Sequence, residues 1–118
     1  MHPPHQNRRA LSATEIVSQL TQLNGDAAQG WKLIDGALEK TFPFANFHET
    51  MAFVNAVAWI AHREDHHPDV ALSFGRCTVR YSTHSVSGIS ASDFYCAAAV
   101  DGLQKTGMNT AMPTRPSL

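Results

Sequence analysis

The sequence contains only two cysteines, Cys77 and Cys96, and has neither the number nor the spacing for a disulfide framework or a zinc site. We therefore expect both thiols to be reduced and buried. There is no basic run beyond Arg8-Arg9, and the formal net charge is −1, so direct nucleic-acid binding is not expected. No apolar stretch approaches the roughly 18 residues of a membrane span. The polar residues 1–10 do not resemble a signal peptide, and these absences predict a cytoplasmic protein without membrane contact.

Several kinds of catalytic site are also missing. The sequence has no glycine-rich phosphate loop, and no serine, cysteine or lysine stands in an obvious nucleophile arrangement. Histidines His62, His66 and His84 could hold a metal on spacing alone. Such sites usually include a carboxylate or a partner from another element, and nothing in the sequence forces one here. We therefore expect no metal.

Length and composition predict one domain. With 118 residues, of which 43% are hydrophobic, the chain can bury one core. The domain is expected to span residues 11–107. A disordered N-terminal tail over residues 1–10 and a loose C-terminal tail over residues 108–118 are expected on either side.

Capping and turn signals predict a helix, a hairpin, a long helix, a second hairpin and a last helix. Ser12 suits a helix N-cap, with Glu15 as its capping-box partner. Asp35-Gly36 favours a type I′ turn between two strands, because both central residues of that turn need positive φ. The second hairpin is expected to turn around Gly75-Arg76.

The long helix is predicted from Phe47 to about His66, because apolar residues recur there every three or four positions. Pro68 disfavours helical geometry at the residue before it and should end the helix at or just before His66. Ser90 suits the N-cap of the last helix, and Gly107 suits its stop. The expected fold is α+β, a two-layer sandwich in which about three helices cover one face of a four-stranded antiparallel sheet.

The densest chemistry lies in His66-His67-Pro68-Asp69, followed by Thr83-His84 and Asp93. Histidine has an unperturbed pKa of about 6.5 and exchanges protons near neutral pH. His62 and His66 are four residues apart, so we expect them on one helix face, with His67 pointing elsewhere. One imidazole as acid and another as base would suit an elimination or isomerisation. Hydroxyls surround the third imidazole at Ser82, Thr83 and Ser85.

Simpler interpretations exist for each of these residues. The histidines could be unrelated surface residues, and His62 could be a solvated helix residue. Asp93 could serve only as a helix-capping carboxylate, and Ser82 and Thr83 could be ordinary strand residues.

Together these residues resemble the signature of the pterin-4a-carbinolamine dehydratase family. The resemblance rests on His66-His67-Pro68, an aromatic at Phe74, His84 and Asp93, and it covers roughly residues 11–105. Two positions depart from the pattern of many relatives. His62 stands where they carry an acidic residue, and Ser92 stands where they carry arginine.

The resemblance implies a small cofactor-free dehydratase. Its substrate would be a 4a-hydroxytetrahydropterin, left by an aromatic amino acid hydroxylase such as phenylalanine hydroxylase, and its product a quinonoid dihydropterin. By this resemblance His66 and His84 transfer protons, while His67 binds and orients the pterin as the third catalytic residue. The remaining residues expected to line or support the substrate site are Asp65, Ser82, Thr83, Ser85, Asp93 and, as a further support, His62.

Two other functions stay open from the sequence. Some members of the family also act as dimerisation partners of a transcription factor, so a non-catalytic interaction protein is one alternative. Action on another pterin, such as one in molybdopterin metabolism, is the second. Under any of these functions, the resemblance implies a homodimer or homotetramer.

Overall fold

Helices and strands follow the order that the capping and turn signals predict. A computed structural model of the protein describes residues 8–105. The predictions for residues 1–7 and 108–118, and the stop predicted at Gly107, lie outside the described residues. The elements are α1 (Ala13–Asn24), β1 (Lys32–Ile34), β2 (Ala37–Pro43), α2 (Phe47–Glu64), β3 (Asp69–Ser73), β4 (Arg76–Tyr81), a 3-10 turn (His84–Val86) and α3 (Ala91–Lys105).

The four strands form one sheet in the order β1-β2-β4-β3, and every neighbouring pair is antiparallel. Side chains alternate between its faces, as strand geometry requires. One face of β2 and β4 is buried under the helices, whereas the other carries polar pairs such as Arg80–Glu39 and Thr41–Thr78. The predicted α+β sandwich with helices on one face is confirmed.

Helix α1 begins with the predicted capping box. The Ser12 hydroxyl accepts a hydrogen bond from the Glu15 backbone N–H at 3.2 Å, and the Glu15 carboxylate accepts one from the Ser12 N–H at 2.8 Å. These two bonds satisfy backbone donors that a helix start otherwise leaves free. After the helix, the Asn24 side chain bonds both the N–H and the carbonyl of Trp31, and so fixes the approach to β1.

The first hairpin also follows its sequence signal. Asp35 has φ +48° and Gly36 has φ +79°, and Ile34 pairs with Ala37 across the turn. Both turn residues therefore lie in the left-handed region, where asparagine, aspartate and glycine are favoured. The predicted Asp-Gly turn is confirmed.

The second hairpin turns one residue earlier than predicted. Ser73 pairs with Arg76, so the loop is Phe74-Gly75, and the predicted turn at Gly75-Arg76 is wrong by one position. Gly75 is needed for a different reason. A Cβ there would lie 2.9 Å from the Phe44 carbonyl oxygen, and the Gly75 carbonyl accepts a hydrogen bond from the Phe44 N–H at 2.9 Å. Close backbone contact, which sequence does not reveal, explains this glycine.

The hydrophobic core lies between the helices and the covered face of the sheet. Phe42 packs against Phe53 of α2, with ring centroids 4.7 Å apart, and against Trp31 edge-on at 5.9 Å. Cys77 and Cys96 are free and buried in this core, which confirms their predicted state. Within residues 8–105, no helix is both long and apolar enough to cross a membrane.

Candidate active site

The C-terminus of α2 directs His66 away from the helix. Asp65 ends the helix in the left-handed conformation, with φ +51° and ψ +46°, and the His66 N–H bonds the Ala61 carbonyl at 3.2 Å. This 6→1 bond is the pattern of a Schellman helix end. Arg8 supports it by donating from Nη2 to the Asp65 carbonyl at 2.5 Å. The helix ends at Glu64, which confirms the predicted stop just before His66.

This helix end separates His62 from His66. Because Asp65 turns the chain, His66 is 7% exposed and enters the interior. His62 stays on the exposed side of α2, where its ring lies 6.0 Å from that of Trp59. The expectation that the two imidazoles share one helix face is therefore wrong.

His66 and Asp93 form a buried pair. The His66 Nε2 lies 2.6 Å from Asp93 Oδ1, and the two side chains are 8% and 0% exposed. A carboxylate only accepts hydrogen bonds, so this contact assigns the hydrogen to Nε2. In the neutral imidazole this fixes one tautomer, in which Nδ1 carries the free lone pair.

Hydroxyls complete the hydrogen bonding of Asp93. Thr83 Oγ1 donates to Asp93 Oδ2 at 2.6 Å, and the Ser90 backbone N–H donates to the same oxygen at 2.9 Å. The Ser90 and Thr83 hydroxyl oxygens are 2.7 Å apart. Because the Thr83 hydrogen is used on Asp93, Ser90 is the donor in that bond. Both carboxylate oxygens are thus held by donors before any ligand arrives.

The sequence explains why these groups meet. Ser90 and Asp93 occupy the N-cap and third position of α3, where a carboxylate accepts the N-cap N–H. Thr83 bridges to Gly88, and this short loop returns the chain from β4 to the helix. Asp93 therefore caps α3 as predicted, through Oδ2, and also binds His66, through Oδ1.

Two further imidazoles lie at the surface. His67 and His84 are both exposed. Because the neighbouring His66 is buried, the prediction that His66 and His67 point in different directions is confirmed. His67 precedes β3 and His84 follows β4. The first residue of β3, Asp69, pairs with Arg80 near the end of β4, so both segments leave the same end of this strand pair. The three histidines therefore belong to segments at one end of the β3–β4 strand pair, with His66 buried and the other two exposed.

The other predicted substrate residues differ in accessibility. Asp65 and Ser85 are exposed and Ser82 is half-buried, whereas Thr83 is 3% exposed and uses its hydroxyl on Asp93. Phe74, part of the family signature, lies 67% exposed at the β3–β4 turn, and Ser92 is buried in α3. Within residues 8–105, no group of three or more histidine, cysteine, aspartate or glutamate side chains is arranged to hold a metal ion.

Sequence reasoning missed two residues that touch this network. Ser90 was expected only as an N-cap, and Tyr81, fully buried at the end of β4, was not singled out at all. Its ring stacks on that of His66, with centroids 5.9 Å apart and planes at 7°. The available signal was strand periodicity, because Tyr81 is two residues before Thr83 and side chains two apart share a face.

The site therefore holds the oriented imidazole of His66 inside the protein, whereas those of His67 and His84 are exposed to solvent. A carboxylate that fixes one ring nitrogen frees the other to exchange a proton with a ligand. An arrangement of this kind suits general acid–base chemistry on a small polar molecule.

Comparison with known proteins adds an independent finding. The sequence profile of the family described as pterin 4 alpha carbinolamine dehydratase matches residues 9–103. A provisionally named pterin-4-alpha-carbinolamine dehydratase of Nitrosomonas eutropha is 55% identical over 93 residues, 79% of each chain. One of Paracidovorax citrulli is 54% identical over 99 residues, 81% of this chain and 82% of that protein. The crystal structure of a transcriptional coactivator/pterin dehydratase from Brucella melitensis superposes with TM-score 0.72 at 27% identity, covering 80% of this chain and 98% of that chain.

Proposed function

The chain belongs to the pterin 4 alpha carbinolamine dehydratase family, and we propose that it removes water from a 4a-hydroxytetrahydropterin to give a quinonoid dihydropterin. The family implies a hydro-lyase. The observation that carries the proposal is the buried His66–Asp93 pair, which fixes one imidazole at the end of the β3–β4 strand pair where two exposed histidines also lie. No redox partner is needed, because the reaction is an elimination.

The elimination needs two proton transfers. The C4a–O bond breaks, and the departing hydroxyl takes a proton from a general acid and leaves as water. The N5–H gives its proton to a general base, and the electron pair forms the C4a=N5 double bond. Atoms and charge balance without a cofactor, and positioned imidazoles supply both transfers.

The hydrogen bonding of His66 suggests which residue has which role. With its hydrogen on Nε2 turned to Asp93, His66 offers the Nδ1 lone pair and suits the base. His84, exposed beside the strand end, then suits the acid, and His67 binds and orients the pterin. Asp65, Ser82 and Ser85 are proposed to contact the polar edge of the ring. Thr83 acts one step away, through Asp93.

The decisive experiment is stopped-flow absorbance of enzymatically generated 4a-hydroxytetrahydropterin, with EDTA present. Purified protein is expected to accelerate dehydration, and the His66→Ala/His84→Ala double variant to lose that acceleration. His48→Ala, an exposed histidine near the start of α2, is the matched control and should retain it. Dehydration no faster than in buffer would contradict the proposal, and the same assay with other pterins would then test the molybdopterin alternative.

We further propose that the protein forms a homodimer or homotetramer. Edge strand β3 and its turn expose apolar side chains, with Val70 38%, Leu72 40% and Phe74 67% accessible. Unpaired strand edges of this kind are readily covered by another strand. Light scattering at micromolar concentration should give two or four times the chain mass of 12.9 kDa, and a monomer mass would contradict this.

A second candidate function is that of an interaction protein, because the Brucella melitensis relative is named both coactivator and pterin dehydratase. Phe47 and Trp59, 47% and 60% exposed on α2, provide apolar surface for such contacts. This function predicts that His66→Ala/His84→Ala retains full partner binding. For the enzyme function, we propose that the protein acts with an aromatic amino acid hydroxylase in the cytoplasm, where its free thiols would remain reduced.

A further inference from the structure

Tyr81 lies over one face of the His66 ring, whereas the hydrogen bond to Asp93 is made at the edge of that ring. The two rings are nearly parallel, at 7°, and their centroids are 5.9 Å apart, an offset stack. Tyr81 is fully buried, and its other face neighbours Trp31 at 6.3 Å. The phenol ring is therefore itself held in place by the core and provides a fixed surface for the imidazole.

The end of β4 and the loop that follows it contact both halves of the His66–Asp93 pair. Tyr81 ends β4 and contacts the imidazole, while Thr83, two residues later in that loop, donates to the carboxylate. The bond from Nε2 to Asp93 fixes one point of the ring but leaves rotation about that bond. A flat neighbour against the ring restricts this rotation. We propose that Tyr81 is a positioning residue for His66, and that its ring, not its hydroxyl, aims Nδ1 at the substrate.

The Tyr81 hydroxyl takes no visible part in this support. It is buried and, within residues 8–105, is one of two buried polar side-chain atoms without a hydrogen-bond partner, the other being Arg8 Nε. Burial raises the pKa of Tyr81 far above its usual range, and the neighbouring Cys96 and Asp93 raise it further. A neutral phenol that bonds nothing can be replaced by phenylalanine with the stack preserved.

This inference rests on the proposed function only for its kinetic consequence, so the experiment has two readouts. Imidazole nitrogen NMR, with the His66 signals assigned by their absence in His66→Gln, reports the tautomer without any substrate. Stopped-flow dehydration reports kcat and KM. The variants are Tyr81→Phe, Tyr81→Leu and, as a matched loss of one core aromatic, Phe42→Leu, whose ring packs on Trp31 and Phe53.

Tyr81→Phe should keep the Nε2–H tautomer signals and stay within about twofold of the parent kcat. Tyr81→Leu should shift and broaden those signals and lower kcat by roughly 10-fold or more, because small displacements of a reacting group are costly. Phe42→Leu should lose stability yet keep the parent His66 signals and kcat. If Tyr81→Leu does not fold, Tyr81→Met, which fills a similar space flexibly, replaces it.

Parent-like His66 signals in a folded Tyr81→Leu or Tyr81→Met variant would overturn the inference. So would a loss of those signals in Tyr81→Phe, since that would make the hydroxyl essential. The NMR result stands apart from the proposed reaction. If the protein does not accelerate pterin dehydration but Tyr81→Leu still releases the imidazole, the function fails while the positioning role holds.

Discussion

Helix α3 carries two carboxylates, Asp93 and Asp101, about two turns apart, and each joins the helix to other parts of the fold. Asp93 is fully buried and holds His66 and Thr83. Asp101 is 21% exposed and bonds Lys40 Nζ at 2.9 Å. It also accepts the Trp31 indole N–H, at 3.1 Å to each oxygen.

The difference between them lies in the partner rather than in the carboxylate. Lysine and the indole N–H are only donors near neutral pH, so Asp101 can do no more than link α3 to β2 and the start of β1. Imidazole gains and loses a proton in that range, so Asp93 can orient a group that does chemistry. Of two similar carboxylate contacts on one helix, the one at Asp101 is therefore structural and the one at Asp93 is a candidate catalytic contact.

The largest expected effect comes from Asp93→Asn. An amide can still accept from His66, but its NH2 would then face the donors of Thr83 and Ser90, and the imidazole loses its fixed tautomer. We expect the dehydration rate to fall by roughly 10²-fold or more, and the free energy of unfolding to drop by about 1–3 kcal/mol. Stopped-flow absorbance and urea unfolding measure the two effects.

Asp101→Asn is the matched control, since it makes the same change on the same helix. Its dehydration rate should stay within about threefold of the parent. Equal kinetic losses in the two variants would show that Asp93 acts only through stability, and the contrast between the carboxylates would be lost.

The next effect separates the two accessible imidazoles. His84→Ala should lower the dehydration rate by roughly 10²-fold, the usual size of a general acid–base contribution. His67→Ala should mainly raise KM, because a binding group acts on the ground state and transition state alike. Steady-state kinetics of both variants provides the check, and a His84→Ala rate within about threefold of the parent would remove His84 from the mechanism.

Local signals in the sequence predicted most of the fold, because each one acts over a few residues. The Ser12 capping box, the Asp35-Gly36 turn and the stop before Pro68 involve short-range contacts and occur where expected. The turn at Gly75 was misplaced because this glycine is required by close backbone contact with Phe44, some 30 residues earlier in the chain.

The same distinction applies to the site. The residue types were predictable, since His66, His84 and Asp93 form a recognisable pattern. Their burial was not, because the pattern does not show that Asp65 adopts a left-handed conformation and sends His66 inward. Thr83 was expected to face a ligand and instead bonds Asp93, a contact that depends on how the loop returns to α3.

A smaller effect is expected at the structural carboxylate. Asp101→Asn removes the ion pair with Lys40, whose side chain is 15% exposed, and weakens the bond to Trp31. The free energy of unfolding should fall by about 1 kcal/mol, because the amide oxygen of the variant can still accept a hydrogen bond but carries no charge. Urea unfolding of Asp101→Asn and Lys40→Met measures this. No change in either variant would show that the link contributes nothing to stability.

The smallest effect concerns Cys96, three residues after Asp93. Burial first, and then the carboxylates of Glu64 and Asp93, raise the pKa of its thiol from 9.0 to about 12. The unfolded chain therefore loses this proton above pH 9 while the folded protein keeps it, so stability is full below pH 9 and falls as the pH rises toward 12. Between pH 8 and pH 9.5 the thiol should account for a loss of about 1 kcal/mol. The Cys96→Ala variant has no thiol to titrate at this position. Its urea midpoint should therefore fall less over this pH interval than that of the parent, whatever the stability of the variant at pH 8. Equal falls would mean that the Cys96 thiol titrates alike in the folded and unfolded chains, and would contradict the raised pKa.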